Sequence, residues 1–172
     1  MDKREIALLF EYNYWANERI LGAVQGLTAE QYIAPVPGLS FSSVRATLVH
    51  TLSAEIIWRM RCLEGVSPVT LLREADFPTL DSLRRLWADE EAATRQGLAR
   101  LTDESLAGQL VYRTTEGQVM EETLWKLLVH LVNHGTQHRA ETAVALTGYG
   151  RSPGNVDLIV FLRERSAHDS RT

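Results

Sequence analysis

Three of the chain's five histidines, His130, His134 and His138, recur at strict four-residue intervals within HLVNHGTQHRAET, residues 130–142. On an α-helix a four-residue step turns the chain by about 40° and raises it by about 6 Å, so two successive members of the series can direct their imidazoles toward one ion. Neutral imidazole is a common ligand of transition metals, which makes divalent-metal binding the chemistry this spacing allows. All three cannot share the ion: His130 and His138 lie about 12 Å apart along the axis, whereas two nitrogens on one metal lie within about 4 Å of each other. Spacing leaves open which pair binds. It also leaves open a stripe of hydrogen-bonded core histidines, or a polar surface shared with Asn133, Gln137 and Arg139.

His50 tips the balance toward a site. It is the only histidine of the second helical segment, two turns in, with the small residues Ala46 and Ala54 on its side. Joined to two histidines of the later helix it gives three neutral nitrogen donors and an open fourth position, the arrangement of a catalytic rather than a structural metal site. Glu141, three residues after His138, can orient an imidazole by accepting its N–H or act as a base, and it can equally form an ion pair with Arg139 or Arg45. Cys62 stands twelve residues and about 120° from His50 and is expected to pack rather than to ligate. Asn13 and Asn17, at i and i+4, suit structural polar contacts, and Trp15, Trp58, Trp87 and Trp125 suit core or dimer packing; Trp58, eight residues and about 80° from His50, is a pocket candidate at an unfavourable distance. Asp81, Asp89, Glu90 and Glu91 look like a solvated charge run. No phosphate loop or nucleophile elbow is present in the sequence.

The elements that must carry these residues follow from apolar periodicity. A first helix is expected from Lys3 to about Gln25, then a long loop through Pro35, Pro37 and Gly38, with Thr28 and Gln31 able to cap one short turn. Serine caps in FSS open a second helix that runs to Glu64 and stops at Gly65, and the connection 66–79 is long enough that the next helix need not be its antiparallel neighbour. The third helix covers about Leu80 to Leu101 with Thr79 or Asp81 as cap. Alternation around Glu116-Gly117 in QLVYRTTEGQVMEET predicts a small β-hairpin or an extended loop. The fourth helix is expected from Glu121 or Glu122, where acidic residues suit the helix dipole, to about Thr147, and a short helix covers Asp157 to Arg165. The fold class is therefore all-α, a four-helix bundle with long interhelical connections.

The 172 residues suit one domain, residues 1–166, with a polar tail at 167–172 that includes His168. A net charge of -4 offers no basic groove, so nucleic acid is not an expected partner. The amphipathic, charged N-terminal stretch lacks the apolar run of a signal peptide or membrane span, which points to a soluble cytoplasmic protein with no membrane partner. The sole cysteine excludes an intramolecular disulfide or a cysteine metal cluster.

YNYWANERIL at 12–21, SFSSVRATLVHTLSAEIIWRMRCLEG at 40–65 and LLVHLVNHGTQHRAETAVALTGYG at 127–150 together resemble the DinB/YfiT-like metalloenzyme family over nearly the whole chain. The resemblance implies a bundle, often a homodimer, holding one divalent transition metal ion such as zinc, nickel or iron. Carried over by position, the ligands it implies are His50, His134 and His138, with His130 either supporting a ligand from behind or lining the pocket. It further implies a small-molecule substrate, with low-molecular-weight thiol S-transfer as the first reading. Metal-dependent hydrolysis and non-catalytic binding are the alternatives. The family commonly reads His-Arg-Gly-Gln where this chain has His138-Arg139-Ala140-Glu141, so the surroundings of the third ligand differ.

Overall fold

The computed structural model describes residues 1–169. Helix α1, Lys3–Val24, opens with a capping box in which the Asp2 carboxylate accepts from the backbone N–H groups of Arg4 and Glu5 while Glu5 reaches back to Asp2 N–H. The short α2, Ala29–Ile33, carries the expected Thr28/Gln31 box. Helix α3, Val44–Arg59, is capped by Ser43 and passes directly into a π-helical turn, Met60–Glu64, that ends on Gly65 in the left-handed region at φ 69°. A single 3-10 turn at Glu74–Asp76 precedes α4, Leu80–Ala99, capped by Thr79. Then come α5, Asp103–Ala107, strands β1, Gln109–Arg113, and β2, Val119–Thr123, helix α6, Leu124–Gly148, and α7, Leu158–Asp169.

The expected bundle of α1, α3 with its π turn, α4 and α6 is therefore present, with connecting helices, a hairpin and a short C-terminal helix. Contacts between the long helices fix their directions. Glu55 meets Trp87, Arg59 meets Glu90 and Leu63 touches Gly97, so residue numbers rise together and α3 runs parallel to α4. Glu11 with Arg95 and Glu18 with Arg84 make α1 antiparallel to α4. His50 with His134 and Trp58 with His130 make α3 antiparallel to α6. The parallel α3–α4 pair is what the long connection 66–79 permits, since a tight turn can only return a chain antiparallel.

Two boundaries and one side chain's burial differ from expectation. β1 pairs antiparallel with β2 from Gln109↔Thr123 to Arg113↔Val119, with Gly117 at φ 86° in the turn. Glu121 and Glu122 therefore belong to β2, and α6 begins at Leu124; cross-strand pairing claims the two acids before the helix can. α7 continues to Asp169, past the expected end at Arg165, so the expected tail overlaps this helix and residues 170–172 lie outside the described residues. Glu90 is buried, not solvated: the Arg59 Nε donates to both its carboxylate oxygens at 2.7 and 2.8 Å.

The core forms two clusters along the bundle. One gathers Ile6, Phe10, Leu106, Leu127, Leu128, Leu131 and the buried Cys62; the other gathers Ile20, Leu21, Leu48, Leu52, Leu83, Trp87 and Leu146. Of the histidines on α3 and α6, His138 is buried, His50 and His134 are partly buried and His130 is exposed. No helix among the described residues is long and apolar enough to cross a membrane.

Candidate metal centre

α3 and α6 bring His50, His134 and His138 together, one ligand atom from each lying within 4.8 Å of the others. The His50 and His134 Nε2 atoms are 3.3 Å apart, and the His134 and His138 Nε2 atoms 3.2 Å. Two nitrogens at about 2.1 Å from a tetrahedral ion are separated by about 3.4 Å, so both close spacings suit one cation. His138 is buried, whereas His50 and His134 are partly buried.

Hydrogen bonding makes the convergence more informative than proximity alone. Glu141 Oε2 lies 3.2 Å from His138 Nδ1, and a carboxylate only accepts, so Nδ1 carries the proton and Nε2 presents its lone pair. That lone pair faces His134 Nε2, which faces His50 Nε2 as well. His134 can donate from Nε2 to only one of them, so at least one facing pair of ring nitrogens is left with no proton between two neutral imidazoles. A cation at the point of convergence uses all three lone pairs at once, and the donor set suits a first-row divalent ion.

Electrostatics favour the metal-ready form. Burial, the adjacent His138 and, for His134, the neighbouring His50 lower the imidazole pKa values of His50 and His134 to about 4, so both are neutral at neutral pH. Glu141 is held below the ordinary carboxylate range: hydrogen bonds from Ser40 and His138 outweigh the opposing effect of desolvation. The Ser40 hydroxyl donates to Glu141 Oε1 at 2.7 Å, tethering the α2–α3 loop to α6. The next residue, Phe41, stacks on His50 with ring centroids 3.8 Å apart and planes 21° from parallel, forming one wall of the cluster.

His130 does not join the three. Its ring is 6.0 Å from that of His134 and stands edge-on to Trp58 at 5.1 Å. Of the alternatives for Glu141, the contact to His138 is formed, while Arg45 pairs with Glu74 and Arg139 turns into the bundle. There Arg139 Nη1 donates to the side-chain oxygens of Asn13 and Asn17 at 2.5 and 2.9 Å, while their amide nitrogens donate to Glu55 at 2.9 and 3.0 Å. Trp87 Nε1 donates to the other Glu55 oxygen at 2.8 Å. Two carboxamides thus bridge a buried carboxylate and a buried guanidinium, confirming structural roles for Asn13 and Asn17. Burial raises the Glu55 pKa, opposed by these donors and Arg139. Cys62 packs in the core, its thiol pushed up to about 12 by burial.

Glu55, Phe41 and Ser40 were not singled out by spacing. The signal for Glu55 was a single charge inside the apolar run LSAEIIW, which a buried partner had to explain. Phe41 and Ser40 lie in a loop, where no periodicity points to the cluster.

Parallel long-crossover helices, a hairpin before the last long helix and a histidine cluster between α3 and α6 define a helical-bundle protein with a site capable of coordinating a metal ion. The chain belongs to the DinB family, whose model matches residues 1–169. It is also similar to Protein DinB of Bacillus subtilis (strain 168), 29% identical over 167 residues, covering 90% of this chain and 92% of that protein.

Proposed function

We propose that the protein binds one divalent transition metal ion through His50, His134 and His138 and acts as a metal-dependent enzyme on small molecules, with low-molecular-weight thiol S-transfer as its reaction. The observation that carries this reading is the convergence of three imidazole Nε2 atoms, one with its tautomer set by Glu141. A divalent ion bound there would supply Lewis acidity, lowering the pKa of a coordinated thiol or water. The chain's own part is to hold three neutral donors, to fix the His138 ring through Glu141 and to wall His50 with Phe41. Zinc, nickel and iron all suit the donor set. We place the protein in the cytoplasm as a homodimer, which sedimentation would check.

Elemental analysis of protein purified without an affinity tag tests the ligand assignment. About one metal per chain is expected in the wild type and none in His50→Ala, His134→Ala or His138→Ala, with helix content retained. Full metal occupancy in the His134→Ala protein would overturn the assignment. Turnover of thiol and electrophile pairs that disappears on chelation supports transfer, and turnover of an ester or amide without thiol would reassign the reaction to hydrolysis.

A further inference from the structure

A second feature lies one helical turn from the cluster. Between the end of α3, the hairpin and the first half of α6 is a cavity of about 430 Å³ walled by Trp58, Tyr112, Met120, Leu127 and His130. His130 lines it, its ring edge-on to Trp58 at 5.1 Å and 6.0 Å from the ring of His134 between centroids. We propose that this cavity holds the acceptor substrate of the metal centre, and that the acceptor is a neutral, flat, largely apolar molecule. The proposal rests on the metal-dependent reading above.

The walls argue for flatness. Trp58 stands edge-on to Tyr112 at 5.3 Å and to His130 at 5.1 Å, a contiguous aromatic wall against which a planar guest can stack. The rings are held from behind. The π turn after Arg59 places Arg61 with its guanidinium carbon 4.8 Å from the Trp58 centroid and 5.5 Å from that of Tyr112. Arg61 is only 5% exposed, and its Nε and Nη2 have no hydrogen-bond partner, so contact with the two rings is its principal interaction among the described residues.

Charge argues for neutrality. Glu121, Glu122 and Lys126 line the cavity and Arg61 lies behind its aromatic wall, two negative and two positive groups that cancel. Lys126 is already engaged by Glu122 at 2.8 Å and is not free to clamp an anion. Size is ample: an apolar cavity of about 150 Å³ accepts a benzene ring, so this one admits a compound of two fused rings. Met120, 44% exposed on β2, stands at the entrance.

Calorimetry of wild-type protein with 2-naphthol, against its 6-sulfonate and a naphthyl trimethylammonium, reads the class of ligand. Saturable binding of 2-naphthol, at least tenfold tighter than either ion, is expected. Met120→Trp, which fills the entrance without removing core atoms, is expected to weaken it tenfold or more while leaving metal content unchanged. In protein loaded with cobalt(II), the naphthol proton resonances should broaden, because the cavity adjoins the cluster. Absence of saturation, tighter binding of a charged analogue, unaltered binding by Met120→Trp, or binding without broadening in cobalt-loaded protein would each overturn the proposal. Failure to take up cobalt would instead sink the metal reading, and the acceptor role with it, even where naphthol binds.

Discussion

The cluster's chemistry depends on a residue that is not itself expected to touch the ion. Glu141 fixes the His138 ring by accepting Nδ1–H, and Ser40 in turn holds Glu141. A glutamine there keeps the shape and loses the charge. Glu141→Gln is therefore expected to weaken zinc binding about 10- to 100-fold while leaving one metal per chain at saturation, measured by competition with a chromophoric chelator. Affinity equal to wild type would show that the carboxylate does no more than pair on the helix surface. At this scale the sequence was partly legible. A period of four put the three histidines of α6 on one inward face, but it could not choose between 130/134 and 134/138. Only the position of His50 on the antiparallel α3 brings a third imidazole beside the second choice, and such an interhelical distance is absent from linear spacing.

Between elements, the close approach of α1 to α6 decides whether the cluster keeps its shape. A Cβ at Gly135, the residue after His134, would stand 2.8 Å from Arg139 Nη1 and 3.0 Å from Asn13 Oδ1. Alanine in a helix interior gains about 1 kcal/mol over glycine, whereas overpacking a filled site costs about 1–3 kcal/mol. Because the atoms in the way belong to the buried Glu55–Asn–Arg139 network and cannot retreat into water, the cost should win. Gly135→Ala is expected to lower stability in denaturant unfolding. Gly22→Ala in α1, where an added Cβ meets nothing within 4 Å, should raise it by up to about 1 kcal/mol. Two shifts of the same sign would refute the packing argument. Most of these elements could be read in advance, since caps at Ser and Thr positions, proline loops and apolar periods are local signals: Ser43, Thr79 and the Thr28/Gln31 box all sit where they were expected. What was misread depends on distant partners. Glu121 and Glu122 read as a helix start until β1 paired with them, and Glu90 read as solvated until Arg59 reached it from α3.

For the molecule as a whole, a cluster of converging neutral imidazoles must tolerate its own facing lone pairs, and this couples folding to pH. His50 and His134 have folded-state pKa values lowered to about 4, against about 6.5 in an unfolded chain. Between those values the unfolded chain binds more protons than the folded one, so stability rises with pH across that window. The contribution is fully present above about pH 6.5 and is lost as pH falls toward 4. The groups facing the pair do not reverse the sign: His138 is bonded to Glu141, His130 acts on His134 in the same direction as its other imidazole neighbours, and Glu141 itself is depressed below its ordinary value, so its contribution too is lost only as pH falls. Chelator-stripped protein is thus expected to lose resistance to urea steadily from pH 6.5 to pH 4, and a His50→Gln, His134→Gln double variant to show a shallower slope. A flat wild-type profile across this range would mean that the imidazoles protonate in the folded protein as they do in water, and that the bundle does not hold them as neutral donors.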